Sequence, residues 1–170
     1  MSQVLSRWNL LPAHEAVKEI LPCCGSRAWA NGMASGRPLR DVATLLATSD
    51  RIWRGVTAAD WLEAFHSHPK IGETRSSLET SARSLDWSAQ EQSQAVKSDD
   101  SLKQAIVEGN LEYEEKFGRI FIICATGKSA AEILTNLRNR LNNDEVTELR
   151  EAAEQQRQIT QVRLRKWLAE

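Results

Sequence analysis

The sequence has little of several features that mark specialised classes of protein. Its three cysteines, two of them adjacent, form neither a disulfide framework nor a CxxC metal pattern. The sequence contains no run of about 18 apolar residues, the length that a membrane-spanning helix needs. The 22 basic and 23 acidic residues leave a net charge of −1, which gives no electrostatic case for nucleic acid or an anionic membrane as partner. We therefore expect reduced thiols and a small-molecule substrate.

Length and composition limit the architecture. With 170 residues and 41% hydrophobic content, the chain can bury one sizeable core, so we expect a single domain over residues 1–170. The first eight residues lack the apolar segment of a secretory signal, and no peroxisomal tripeptide follows Leu168. These features predict a cytoplasmic protein.

Apolar residues recur at helical spacing along almost the whole chain, and no sustained alternation predicts a strand. Three segments place a hydroxyl residue three positions before a carboxylate, the pattern of a reciprocal helix cap: Thr57–Asp60, Ser88–Glu91 and Ser129–Glu132. Pro12 and Pro38 predict further helix starts. Residues 73–87 are rich in Ser, Thr and Arg and predict an irregular or weakly helical connection. The fold class predicted is all-α, a single-domain bundle of about seven to eight helices.

The segment Phe65–Gly72 carries the clearest chemical signal. Proline disfavours helical backbone for the residue before it, so a helix through Phe65 should end near His68, which precedes Pro69. Histidine is the side chain whose ordinary pKa lies closest to neutral pH, and proton transfer suits it. The alternative is a loop histidine that caps a helix end.

Two other features suggest a binding site. Phe121–Ala125 is an apolar run too short for a helix, either a buried connector or an extended wall whose backbone meets a ligand. In the last helix, Gln156 and Arg163 share a face with apolar residues. That arginine either extends along its stem to solvent or pairs with an anion, and with Gln156 it would suit an anionic, amide-rich ligand.

Two other classes of function remain open from these residues. His66 and His68 could begin a metal site in a hydrolase, although the only other histidine is His14 and no acidic cluster lies at ligand spacing. A helical interaction module could use the six tryptophans for partner binding. Their spread over different predicted helices favours a role in the core.

Six segments in order along the chain closely resemble the OHCU decarboxylases, which act on 2-oxo-4-hydroxy-4-carboxy-5-ureidoimidazoline between urate and allantoin. The segments are Cys23–Trp29, His68–Gly72, Ser88–Gln92, Phe121–Ser129, Leu137–Asp144 and Ile159–Leu164. The resemblance covers nearly the whole chain. It implies an all-helical fold without cofactor or metal, a homodimer, and decarboxylation of that substrate, OHCU, to (S)-allantoin.

The resemblance also implies roles for individual residues. His68 matches the catalytic histidine, and Glu91 matches the carboxylate that supports it, although Glu91 could instead cap its own helix. The residues that match substrate contacts are Pro69, Ser88, Gln92, Phe121, Ile122, Ile123, Cys124, Ala125 and Arg163. The connection from Gly72 to Trp87 looks longer than is usual in the family, so Ser84 remains an alternative to Ser88.

Overall fold

The computed structural model describes residues 2–72, 81–93 and 98–170, and within these ranges it contains helices and no β-strand. This confirms the predicted all-α class. The nine α-helices are α1 (Gln3–Leu10), α2 (Ala13–Ile20), α3 (Arg27–Ser35), α4 (Val42–Gly55), α5 (Ala58–His66), α6 (Ala82–Glu91), α7 (Asp100–Phe117), α8 (Ala130–Arg140) and α9 (Glu145–Trp167). A short 3-10 helix, Leu21–Cys23, follows α2. None of the predicted helix starts precedes Pro12, so α1 is not predicted from the sequence.

The chain forms two compact units, Met1–Ala64 with Arg157–Glu170, and Phe65–Gln156. In the first unit, aromatic side chains fill the core, where the Trp8 and Trp167 rings meet edge to face with centroids 5.7 Å apart. The indole of Trp8 donates to the Ala16 carbonyl at 2.9 Å, so its polar atom is satisfied in the interior. Five of the six tryptophans are buried, which supports the core role predicted for them.

Helix starts follow short-range capping chemistry. Thr57 and Asp60 cap each other's backbone amides, and Ser129 with Glu132 forms a complete capping box, so both predictions are confirmed. The predicted start at Pro38 is wrong. Helix α4 begins after Asp41, whose carboxylate accepts from the amide of Thr44 at 2.7 Å, because a side-chain acceptor stabilises a helix start where Pro38 supplies none.

The third predicted cap is also wrong. Ser88 and Glu91 lie in the last turn of α6, which begins after Ser81, whose hydroxyl accepts from the Ser84 amide at 3.2 Å. The pattern of hydroxyl and carboxylate therefore lies inside a helix, where the backbone amides already have helical partners. The connection predicted to be irregular or weakly helical is helical from Ala82 onward, and residues 73–80 lie outside the described ranges.

The core of the second unit lies between α7 and α8. The Tyr113 ring contacts the rings of Phe117 and Phe121, with centroids 4.7 and 5.2 Å away. The side chains of Ile133 and Leu137 pack into the same cluster. Gly109 allows the close approach of the two helices, because a Cβ there would lie 2.6 Å from Leu137 Cδ2.

A charged network is buried beside this core. Arg140 binds Glu148 through Nε at 2.9 Å and Nη2 at 2.5 Å, and the hydroxyl of Tyr113 donates to the same carboxylate. Burial, followed by the Glu148 carboxylate, raises the pKa of Tyr113, so it remains a neutral donor. The network ties α7, α8 and α9 together within the second unit.

None of the helices in the described ranges is long and apolar enough to span a membrane.

Candidate active site

His68 lies in a turn just beyond α5, where its amide donates to the Phe65 carbonyl at 3.1 Å. Helix α5 ends at His66, as expected for a chain that reaches Pro69 three residues later. The His68 side chain is 7% exposed. A histidine at a helix end would ordinarily be solvated, so its burial sets it apart from a simple capping residue.

Side chains from two other helices hold the turn that follows His68. The amide of Gly72 donates to Oε1 of Gln92 at 2.9 Å, and Lys70 pairs with Glu114 of α7 at 2.9 Å. Gly72 has φ of +89°, a conformation that favours glycine. The backbone that carries His68 and Pro69 is therefore fixed at Gly72, and Gln92 has a structural role in holding this turn.

Helix α6 buries a polar face. Ser84, Ser88 and Glu91 follow one another at intervals of four and three residues, so they lie on one side of the helix, and all three are buried. Gln92, just past the helix end, is buried as well. A buried helix face normally carries apolar side chains, because polar groups are costly to remove from water. Buried polar side chains of this kind are typical of a site that binds a polar ligand. Ser84 therefore remains an alternative to Ser88 as the substrate contact.

Phe121–Ala125 forms an extended, buried connection between α7 and α8. The side chains of Phe121, Ile123 and Ala125 join the hydrophobic core of the second unit. Since side chains alternate in an extended chain, those of Ile122 and Cys124 point to the opposite face. The Glu91 charge lies close enough to Cys124 to contribute to the rise in the pKa of that thiol, after the larger effect of burial.

Three side chains bind the backbone of residues Phe121–Ala125, which we call the wall segment. Arg140 donates to the Ile122 carbonyl at 2.7 Å, and Lys128 donates to the Cys124 carbonyl at 2.7 Å. The Cys124 amide donates to Oε1 of Gln155 at 3.0 Å. The segment is thus a core connector, the first of the two predicted alternatives, and the carbonyls of Ile122 and Cys124 are bound within the protein. Its contact with a ligand stays a prediction.

Gln156 contacts the imidazole directly. Its Oε1 lies 2.7 Å from Nε2 of His68 in a buried hydrogen bond. Gln156 itself is fully buried on α9, one residue after the glutamine that holds Cys124. The sequence analysis noted Gln156 as an amide on an inward helix face but did not pair it with His68.

Arg163 belongs to the first unit and is fully buried there. It donates to the Pro22 carbonyl at 3.3 Å. Its charge partly offsets the effect of burial, which raises the pKa of the nearby Cys24 thiol to about 12. The guanidinium therefore does not extend to solvent, which was one of the two alternatives for an arginine on this helix face.

The other predicted site residues lie in the second unit, where His68, Pro69, Ser88, Glu91, Gln92 and Phe121–Ala125 are all buried. Sequence reasoning missed Arg140, Gln155 and Lys128. Arg140 had one available signal, since it lies on the same helix face as the apolar Ile133 and Leu137.

The cysteines are reduced and buried, as predicted. Among the residues that the structure describes, no group of three His, Cys, Asp or Glu side chains is placed to hold a metal ion.

Comparison with known proteins places this arrangement in a family. The sequence profile of the OHCU decarboxylases matches residues 9–165, almost the entire chain. The chain belongs to the OHCU decarboxylase family. The family match includes every residue that the sequence analysis assigned to the site, from His68 to Arg163.

Two curated relatives of this OHCU decarboxylase family member carry related names. A "Uric acid degradation bifunctional protein TTL" of Arabidopsis thaliana is 39% identical over 145 residues, which is 85% of this chain and 44% of the relative. The "2-oxo-4-hydroxy-4-carboxy-5-ureidoimidazoline decarboxylase" of Amia calva is 42% identical over 55 residues, 32% of this chain and 31% of the relative. The matches thus span less than half the length of these relatives.

Solved structures agree in fold. A crystal structure of OHCU decarboxylase in the presence of (S)-allantoin has 38% identity and a TM-score of 0.77, with 89% of this chain and 98% of that chain covered. An (S)-allantoin synthase has 16% identity and a TM-score of 0.70, with 96% of this chain and 53% of that chain covered. The second likeness concerns the fold alone.

Proposed function

We propose that this protein is a carboxy-lyase that decarboxylates OHCU to (S)-allantoin in urate degradation. The observation that carries the proposal is the burial of His68, the residue that matches the catalytic histidine of the family. A similar solved structure, of which 98% is covered by the match, is an OHCU decarboxylase. A buried imidazole on a fixed turn suits proton transfer to a small polar ligand.

The chemistry of the substrate explains why few protein groups are needed. The carbon that loses carbon dioxide carries a hydroxyl and lies beside the carbon of a ring C=N bond. When the bond to the carboxylate breaks, its electron pair forms a new carbon–carbon double bond and the C=N pair moves onto nitrogen, which takes up a proton from solvent. The hydroxyl proton then leaves, and a proton delivered to one face of the neighbouring carbon gives allantoin with one handedness. The protein must therefore orient the carboxylate and move protons.

His68 is proposed as the acid–base group, with Pro69 beside it in contact with the substrate. Glu91 is proposed to stabilise the imidazolium that forms when His68 takes up a proton. Two observations support the role of Glu91: it is buried, and it does not begin its helix, so its carboxylate is not committed to a capping box.

The remaining contacts would come from α6, the wall segment and α9. Ser88 and Gln92 are proposed to hold the ureido and ring carbonyl groups, and Arg163 a carbonyl or carboxylate. Ile122 and Cys124 would face the ligand with their side chains, while the carbonyls of both are already bound by Arg140 and Lys128. In an extended chain the polar groups of Ile123 point to the opposite edge, so we propose that its backbone contacts the substrate. Phe121 and Ala125 would act by fixing that segment in the core.

We further propose that residues 1–170 work as one catalytic domain, in the cytoplasm and as a homodimer, on the basis of the family resemblance. Light scattering at several protein concentrations tests the dimer: a constant mass of one chain would contradict it.

The decisive experiment supplies freshly made urate-oxidation product to the purified protein and follows optically active allantoin by circular dichroism. We expect the circular dichroism of (S)-allantoin to appear, and to appear faster than allantoin forms in the spontaneous reaction, which gives both enantiomers. An unchanged rate and no dichroism would refute the proposal.

A further inference from the structure

The hydrogen bond between His68 and Gln156 bears on the question of which ring nitrogen does the chemistry. A neutral imidazole has one nitrogen that donates and one that accepts. The contact at 2.7 Å joins Nε2 of His68 to the amide oxygen of Gln156, and an amide oxygen can only accept. This pairing of atoms favours the neutral ring that carries its proton on Nε2.

The surroundings make this orientation difficult to reverse. Gln156 is fully buried, and the loss of a buried hydrogen bond is costly, so the contact with the imidazole resists rearrangement. The preceding residue, Gln155, is held by the Cys124 amide, which fixes this turn of α9 against the wall segment. The backbone of His68 is also restrained, because its amide donates a hydrogen bond to the Phe65 carbonyl.

We propose that Gln156 is a positioning residue that keeps His68 in the tautomer protonated at Nε2 and so reserves Nδ1 for proton transfer. The proposal rests on the function proposed above, and it adds the atom at which His68 acts. On this basis Nδ1 accepts a proton from the substrate hydroxyl, and the resulting imidazolium returns a proton from the same atom. Nε2 keeps its proton throughout, so the cycle is balanced.

The first test is independent of turnover. The chain has three histidines, so nitrogen NMR of the imidazoles, with His68→Asn to assign the signal, reports which nitrogen of His68 carries the proton in the neutral ring. We expect protonation at Nε2 in the wild type and loss of that preference in Gln156→Met, which keeps the length of the side chain but removes the acceptor. A wild-type ring protonated at Nδ1 would overturn the proposal even if the variant failed to fold.

The second test separates positioning from substrate binding. Gln156→Met should lower kcat at least about ten-fold, as for other groups that orient a catalytic histidine, while KM changes little. Gln156→Glu keeps an acceptor and should preserve the Nε2 proton and restore part of kcat. Equal losses in both variants would contradict the proposal.

Gln161→Met is the matched control, because this amide of the same helix binds Asp50 and the Leu46 carbonyl instead. It should leave kcat unchanged. A wild type with the expected tautomer but no decarboxylation would refute the proposed function and leave the role of Gln156 on the ring intact.

Discussion

Arg140 binds the carbonyl oxygen of Ile122 at 2.7 Å with one guanidinium nitrogen while two others bind Glu148. The same guanidinium lies over the Phe121 ring, 4.5 Å from its centroid. One buried cation thus joins the wall of the candidate active site to a carboxylate that is itself fully buried. The position of Ile122 therefore depends on a guanidinium whose charge is paired with Glu148.

Arg140→Met should destabilise the protein strongly, because it leaves Glu148 buried with its main cationic partner gone. The expected loss is about 3–5 kcal/mol in the free energy of unfolding, measured by urea denaturation. The double variant Arg140→Met with Glu148→Met removes both charges and should recover much of this loss. If the double variant were no more stable than the single one, the buried charge of Glu148 would not be the cause.

His68→Asn should keep the fold and reduce turnover by about 10²–10⁴, because a general acid–base group is lost. Allantoin formation by circular dichroism measures the rate, and thermal unfolding measures the fold. The exposed His66, two residues earlier, gives the control: His66→Asn should retain activity. More than about a tenth of the wild-type rate in His68→Asn would exclude the assigned role.

Glu91→Gln should lower activity sharply while the melting temperature barely changes, because the charge is removed but the shape and hydrogen-bonding capacity remain. Glu91 does not cap its helix, so no loss of a helix start is expected. Asp86→Asn, at an exposed position of the same helix, should leave both quantities unchanged. Parallel losses of stability and activity in Glu91→Gln would indicate a structural role only.

Arg163→Met should reduce kcat/KM far more than it reduces stability. A hydrogen bond such as the one to the Pro22 carbonyl contributes about 1 kcal/mol, whereas a ligand carbonyl or carboxylate loses a charged partner. Arg157→Met removes a cation from the same helix that pairs with Asp50 at 3.0 Å, and its activity should stay near that of the wild type. Full activity in Arg163→Met would remove this residue from the site.

Acid should weaken the helix starts. Hydrogen bonds from backbone amides and side-chain hydroxyls hold the pKa values of the cap carboxylates below their ordinary range, at Asp41, Asp60, Asp99, Glu132 and Asp144. A depressed pKa in the folded state adds stability at neutral pH that is lost as the pH falls below about 4 and the carboxylates are protonated. Asp60→Asn should reduce the acid sensitivity of unfolding measured between pH 6 and pH 3. An unchanged pH dependence would contradict this.

The sequence predicted those parts of the fold that depend on neighbours in the chain. The caps at Thr57 and Ser129 formed as expected, because the partners of each cap lie three residues apart and need no other element. The same pattern at Ser88 failed. A better start at Ser81 lies about two helical turns earlier. Because α6 continues through Ser88, the backbone amides there already have helical partners.

The sequence by itself determined the helical class, the reduced thiols and the turn that ends α5 before Pro69, since each follows from composition or local backbone preference. Its resemblance to a family named the residues of the site. Only the tertiary structure paired His68 with Gln156, 88 positions away, and Ile122 with Arg140. Such pairs are decided by which helix faces pack together, because a buried polar group takes the partner that packing brings within hydrogen-bond distance.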